Sequence, residues 1–315
     1  MIRSGARAPV VAWVASTSAA SLIVLVLVLE LGGGAPAEPP APLPDPGRVP
    51  EWATALLPLL GWVAAISMVG LALIATGLFG GPRRDAARRA GIAAFVLSGL
   101  ALLQLGAYAW ELNGQAPLLD SVQARGLLAQ AIIAMLVGLL AVTVQSDRAD
   151  PALLMAAVVA IVPPLLTGHA RTASNPALTS VALIIHAIAA TVWIGGLLGL
   201  CWMVLREQGQ WSTAVRRFSP LALGCVVAVA ASGIITMLGH LSFGDLLTSS
   251  YGAVIVLKAV LLAGLAGFGS LQRRYVIARS GTPRRAFVLV AGCELLVMAL
   301  TIALATGLAQ TPPPS

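Results

Sequence analysis

The sequence predicts an all-α protein, a polytopic membrane helix bundle of about nine transmembrane helices. Its amino terminus is expected inside and its carboxyl terminus outside. Three observations lead there. Of the 315 residues, 58% are hydrophobic and only 10% are charged, whereas a soluble domain carries about 25% charged residues. Between turn signals, nearly every segment is an apolar run close to the roughly 20 residues that cross a bilayer. The arginines fall almost entirely in alternate turns, which is how topology is written in membrane proteins. The net charge of +7 is therefore a membrane-orientation signal and not a nucleic-acid footprint.

The first run, Val10 to Leu31, follows Arg3 and Arg7. Ala35-Pro36-Ala37 resembles a small-residue cleavage site, but the apolar stretch exceeds the 7–15 residues of a signal-peptide core. It reads as a retained helix. A Pro-rich, mildly acidic linker follows, GGGAPAEPPAPLPDPGRVPEW, with nothing to build a core from. Further runs lie at about 54–80, 90–112, 124–146, 151–168, 178–205, 219–241, 251–272 and 286–309. Pro151 suits the first position of its helix. Pro163-Pro164 should break that same helix just before His169.

With the amino terminus inside, the inner segments hold Arg3, Arg7, Arg83, Arg84, Arg88, Arg89, Arg148, Arg206, Arg216, Arg217, Arg273, Arg274, Arg279, Arg284 and Arg285. The outer ones hold Arg48, Arg125 and Arg171, together with Glu38, Asp45, Glu51, Glu111, Asp120 and Asp245. The asymmetry is consistent at every turn. Cys201, Cys225 and Cys293 all fall inside apolar runs, where no disulfide framework forms.

The stretch from His186 to Leu200, HAIAATVWIGGLLGL, concentrates the chemistry. His186, Ala189, Ala190, Trp193 and Leu197 share one helix face. Gly195, Gly196 and Gly199 form a small-residue patch where another helix can approach closely. A histidine in hydrocarbon marks a functional site by default, because an unpaired polar group there is costly. On this topology His169, His186 and His240 all map to the outer half, on three consecutive antiparallel runs. Met237 shares a face with His240. Imidazole suits copper, zinc, iron and nickel, and thioether favours Cu(I). The set His169, His186, His240 and Met237 is thus a candidate metal entry site, with copper first. The plainer reading of each histidine is a hydrogen-bond donor in helix packing. His186 is also set deeper than the other two, which suits a mouth ligand followed by a deeper one.

Cys201, Met203, Cys225, Met155 and Cys293 map to the inner half, so a sulfur path inward is conceivable, although such residues are ordinary in apolar cores. Lys258 and Glu294 are the two charges clearly inside the membrane, each costing about 2.5–3.5 kcal/mol near a helix centre. Trp193, Lys258, Glu294, Cys201 and Cys225 are the candidate pathway residues. Gln104, Glu111 and Asn113 are candidates for lining the same cavity, with interfacial solvation the plainer reading of the last two. No catalytic motif is present: no Walker loop, CxxC, HExxH or GxSxG. The chain reads as a non-enzyme, and any transport would be driven by a gradient or a partner.

From His169 to about Tyr275 the chain resembles the copper resistance D (CopD) family of bacterial inner-membrane proteins. The resemblance rests on GHA at 168–170, HAIAATVWIGGLLGL at 186–200, RRFSPLAL at 216–223, SGI at 232–234 and YGAVIVLKAVLLAGLAGFGSLQRR at 251–274. With the last run it covers roughly the final 140 residues; the first four runs match only in being membrane helices. The resulting division is a first helix at 1–31, a linker at 32–53, three helices of separate character at 54–146 and a CopD-like domain at 147–315. The resemblance implies copper handling in the bacterial inner membrane, often with a small periplasmic copper-binding partner of the CopC type. His169, His186 and Trp193 fit the family's pattern; His240 and Met237 rest on spacing. The expected function is a permease, with import favoured, for copper passing between helices 5 to 8. Two rivals stay open: an accessory or assembly subunit of a copper-containing respiratory oxidase, and a haem b electron carrier. The haem reading needs two histidines at matched depth.

Overall fold

The computed structural model describes residues 7–32, 47–112, 117–143, 151–167, 174–206, 211–240, 250–272 and 284–308. Among these residues the chain forms α1 (Arg7–Gly32), α2 (Arg48–Ala75), α3 (Arg83–Leu112), α4 (Val122–Thr143), α5 (Pro151–Ala160), α6 (Pro176–Leu205), α7 (Trp211–His240), α8 (Ser250–Gln272) and α9 (Arg284–Leu308). Short 3₁₀ turns at Leu118–Asp120 and Pro163–Leu166 complete it. Six helical segments are long and apolar enough to cross a membrane: Arg48–Ala75, Arg83–Leu112, Val122–Thr143, Pro176–Leu205, Trp211–Gly239 and Ala286–Gly307. The described apolar parts of α1, α5 and α8 are shorter. This is a polytopic membrane helix bundle.

Each predicted run is a helix, and the differences lie at the ends. α2 stops at Ala75, ahead of residue 80, because Gly77 adopts φ +74° and Gly80 φ +70°, a left-handed backbone that glycine takes without steric cost. The Thr76 and Gly77 amides close the helix onto the Ala72 and Ile74 carbonyls at 3.2 and 3.1 Å. α3 and α7 begin well before their apolar runs. Polar residues such as Asp85 and Arg89, paired at 3.1 Å, continue a helix beyond the hydrocarbon, since hydropathy marks the bilayer and not the helix end. α5 ends at Ala160, and Pro163-Pro164 turn the chain through a 3₁₀ segment. Proline there removes amide donors and blocks the preceding turn. α6 opens on an Asn175 cap that accepts from the Leu178 amide at 3.2 Å, with Pro176 at the first position.

One apolar core runs from Ala64 to Met298 and draws on α2 to α9. Small residues let the helices meet closely, as expected where lipid removes most of the hydrophobic drive. Ala90, Ala94, Ala134 and Ala141 are buried between α3 and α4, and the Ser98 hydroxyl donates to the Ala131 carbonyl at 2.9 Å. The patch at Gly195, Gly196 and Gly199 does receive neighbours. A Cβ on Gly195 would lie 2.5 Å from the Ile66 carbonyl oxygen, one on Gly70 would strike the Gly195 carbonyl, and one on Gly196 would strike the Phe218 ring. α2 and α6 therefore touch backbone to backbone. A smaller cluster, Leu25, Leu29, Ala55, Leu59 and Ala303, joins α1 to α2 and α9.

The arginine-rich ends gather together. Arg217 of α7 donates to the Leu78 carbonyl after α2 at 3.0 Å, and the Arg89 guanidinium lies 5.6 Å from the Trp202 ring at the end of α6. At the opposite end, the Ser174 amide donates to the Gly239 carbonyl at 3.1 Å. The turn entering α6 is thereby fastened to the last turn of α7.

Candidate functional site

α6 and α7 pack along most of their length and hold His186 between them. The His186 Nδ1 lies 3.1 Å from the Val229 carbonyl oxygen and 3.2 Å from the Ser232 hydroxyl oxygen. A carbonyl only accepts, and the Ser232 hydroxyl donates its own proton to the Ala228 carbonyl. Both neighbours therefore need a donor, so Nδ1 carries the ring proton and Nε2 keeps a bare lone pair, a tautomer assigned from the network. Gly233 leaves room for the ring: a Cβ there would lie 3.5 Å from the imidazole. A ring fixed through one nitrogen and open at the other is the usual arrangement of a metal-ligating histidine. It equally satisfies a packing histidine. Lys258 of α8 lies within electrostatic range of the same ring.

The other predicted ligands stand differently. His169 lies outside the described residues. His240 is the last residue of α7, and its side chain lies outside the described set. Met237 is half-buried on α7. By helix rise, Ser232 is about 12 Å from His240 along the axis, so His186 sits a level deeper than the end of α7. The bond from Ser174 to Gly239 brings the segment that follows His169 to the turn that ends in His240. Among the described residues no cluster of three or more His, Cys, Asp or Glu side chains could hold a metal ion.

Two turns along α6 from His186, buried Trp193 lines a cavity of about 130 Å³ between α6, α7, α8 and α9. Leu197, Phe218, Ser219, Ser270 and Glu294 line it too. Val226 at its edge is one helical turn from Val229, the partner of His186. The cavity thus extends from near the imidazole toward the arginine-rich end. Glu294 is 6% exposed, and its Oε1 has no hydrogen-bond partner among the described residues.

Cys201 and Cys225 are free and buried. Cys293 and Met155 are exposed on the outside of the bundle, whereas Met203 is fully buried. Glu111 accepts from the Thr54 hydroxyl at 2.8 Å, tying α3 to α2. Gln104 lies beside Gly61 at the same pair of helices. Neither Glu111 nor Gln104 borders this cavity; Asn113 is outside the described residues. Sequence reasoning missed Val229 and Ser232 as partners of His186, and Ser219 and Ser270 as cavity lining. SGI at 232–234 stood among the residues of the family resemblance, but spacing alone does not tell which histidine a serine on another helix meets.

The fold and the site define a multi-pass helical membrane protein with a histidine fixed between two helices above a cavity that Glu294 lines. The CopD family model, Copper resistance protein D, matches residues 212–308 in its carboxyl-terminal third. The match takes in α7 to α9 and ends short of His186 and Trp193, which lie on α6. The inner membrane protein YebZ of Escherichia coli K12 is 35% identical over 97 residues, 30% of this chain and 33% of that protein. The copper transport protein CutJ of Bacillus subtilis 168 is 29% identical over 128 residues, 36% of this chain and 24% of that protein. The chain thus spans about a third and a quarter of the length of these relatives. No solved structure matches it.

Proposed function

We propose that this protein is a copper-handling permease of a bacterial inner membrane, in which copper passes among α6 to α9 with His186 as a ligand on the way. The observation that carries this reading is the double hold on His186 Nδ1, which leaves Nε2 free to coordinate. The CopD match over α7 to α9 supplies copper as the metal. Import is the favoured direction. The end of the bundle that bears Ser174 and Gly239 faces outward in this reading, and His169, His240 and Met237 form the mouth that feeds the deeper histidine. A small copper-binding protein of the CopC type would deliver the ion there. Lys258 near the ring repels a divalent cation more than a monovalent one, which favours Cu(I) at this level.

Two experiments test the reading. Detergent-purified protein, loaded with Cu(I) and washed, is expected to retain about one copper per chain in the wild type and to lose it in His186→Ala. No copper in either protein would sink it. In sealed vesicles the wild type is then expected to move copper. Bound copper without flux would favour an accessory subunit of a copper-containing oxidase. Because a protonated imidazole has no lone pair to offer, copper retention should be lost in acid as the imidazole takes up a proton.

A further inference from the structure

Glu294 has no part in holding copper at His186, and its surroundings are unusual for a carboxyl. It is only 6% exposed, borders the cavity between α6 and α9, and leaves Oε1 without a hydrogen bond from any described residue. No cation neutralises it among the described residues. The cavity walls beside it are Trp193, Leu197, Phe218 and Phe287, with Ser219 and Ser270 as the hydroxyls. The Ser270 hydroxyl donates to the Gly267 carbonyl at 2.7 Å, so its proton is engaged. About 130 Å³ is room for several waters, each with a share of about 30 Å³ in the liquid.

The titratable groups on the packed helices are few. α6 brings Cys201, close enough to feel the Glu294 charge, and more remotely His186. α7 has Cys225, Arg216, Arg217 and, at its far end, His240; α8 has Tyr251 and Lys258, and α9 itself has Cys293 and the terminal Arg284 and Arg285. α1 and α2 carry Arg7, Glu30, Arg48 and Glu51 toward their ends. Among the described residues none of them pairs with Glu294. A bare carboxylate in such a place carries a large desolvation cost, whereas the protonated acid does not.

We propose that Glu294 is a proton-binding site, a carboxyl that holds a proton at neutral pH and exchanges it with water in the cavity. The ligand is the proton itself, and the site needs no metal at His186, so it stands or falls apart from the copper reading.

The test uses dicyclohexylcarbodiimide, an apolar reagent that adds to protonated carboxyls in membranes and spares carboxylates, on the full-length protein in detergent. Peptide mass spectrometry reads the modified residue. Glu294 is expected to be modified at pH 7, where an ordinary glutamate of pKa about 4.3 is ionised, and modification should be nearly abolished by pH 10. In parallel, an infrared carbonyl band of a protonated acid should be present at pH 7, fade over the same range and be missing in Glu294→Gln, with thermal unfolding checking that this variant is folded. An unmodified Glu294 with no carbonyl band at pH 7 would overturn the proposal, as would modification that does not change with pH. Protection of Glu294 by silver(I), a Cu(I) stand-in, at unchanged pH with no carbonyl band would overturn it in favour of a metal-binding carboxylate.

Discussion

At the scale of single residues, His186 and Ser232 make a pair whose members should behave differently. Ser232→Ala leaves the imidazole in place but removes one of the two acceptors that set its tautomer. Copper affinity is expected to fall about 10–100-fold, the usual effect of losing an outer partner of a metal ligand. Competition against a chromophoric Cu(I) chelator measures it. Unchanged affinity in Ser232→Ala, beside loss in His186→Ala, would mean that Val229 alone orients the ring. His186 was legible in the sequence as a candidate because an ionisable residue in a long apolar run stands out on cost alone. Its partners were not legible, because a serine and a backbone carbonyl on the next helix are found only by knowing the rotation of two helices against each other. Glu294 stood out in the same way as His186, but the cavity beside it depends on four helices at once.

At the scale of helices, the sequence told more. The Gly195, Gly196 and Gly199 patch predicted a close approach, and the structure supplies α2 on one side and Phe218 on the other. Gly195→Ala is expected to destabilise the protein by about 1–3 kcal/mol, because the Ile66 carbonyl is backbone and cannot swing away. Gly224→Ala, at a glycine with open space around it, serves as the matched comparison and should cost far less. Thermal unfolding in detergent compares the two. Ser98→Ala removes a bond between α3 and α4 and should cost only about 0.6 kcal/mol, the average for such contacts in a membrane. The helix count and the break at Pro163-Pro164 were readable because chain length and proline chemistry are local properties. The ends of α2, α3 and α7 were not, since hydropathy reports where lipid begins and a polar turn can stay helical beyond it.

At the scale of the molecule, the arginine-rich ends cluster on one side, joined by Arg217 to Leu78 and by Arg89 to Trp202. With Cys201, Cys225 and Cys293 replaced, single cysteines at Ser280→Cys and Ser249→Cys should react with an impermeant thiol reagent from opposite sides of a vesicle. The reverse pattern would invert the topology, and reaction of both from one side would change the number of spans. Of the first four helices, which carried no sign of the family beyond their hydropathy, α2 to α4 share one apolar core with the last five, and α1 joins α2 and α9 through a smaller cluster.

The backbone contact between α2 and α6 has a mechanical consequence. Two helices pressed together at glycine, with carbonyl oxygens where side chains would otherwise cushion them, have no slack in which to slide or rock. They form a stator. If the protein alternately exposes its interior to the two sides of a membrane, the moving part is α8, which meets α7 far more sparingly than α6 meets α2 or α7. His186 and the carbonyl and hydroxyl that orient it then ride together on the fixed wall of α6 and α7, while Lys258 belongs to the moving one, and each swing of α8 would change the charge beside the imidazole and with it the grip on whatever the ring holds.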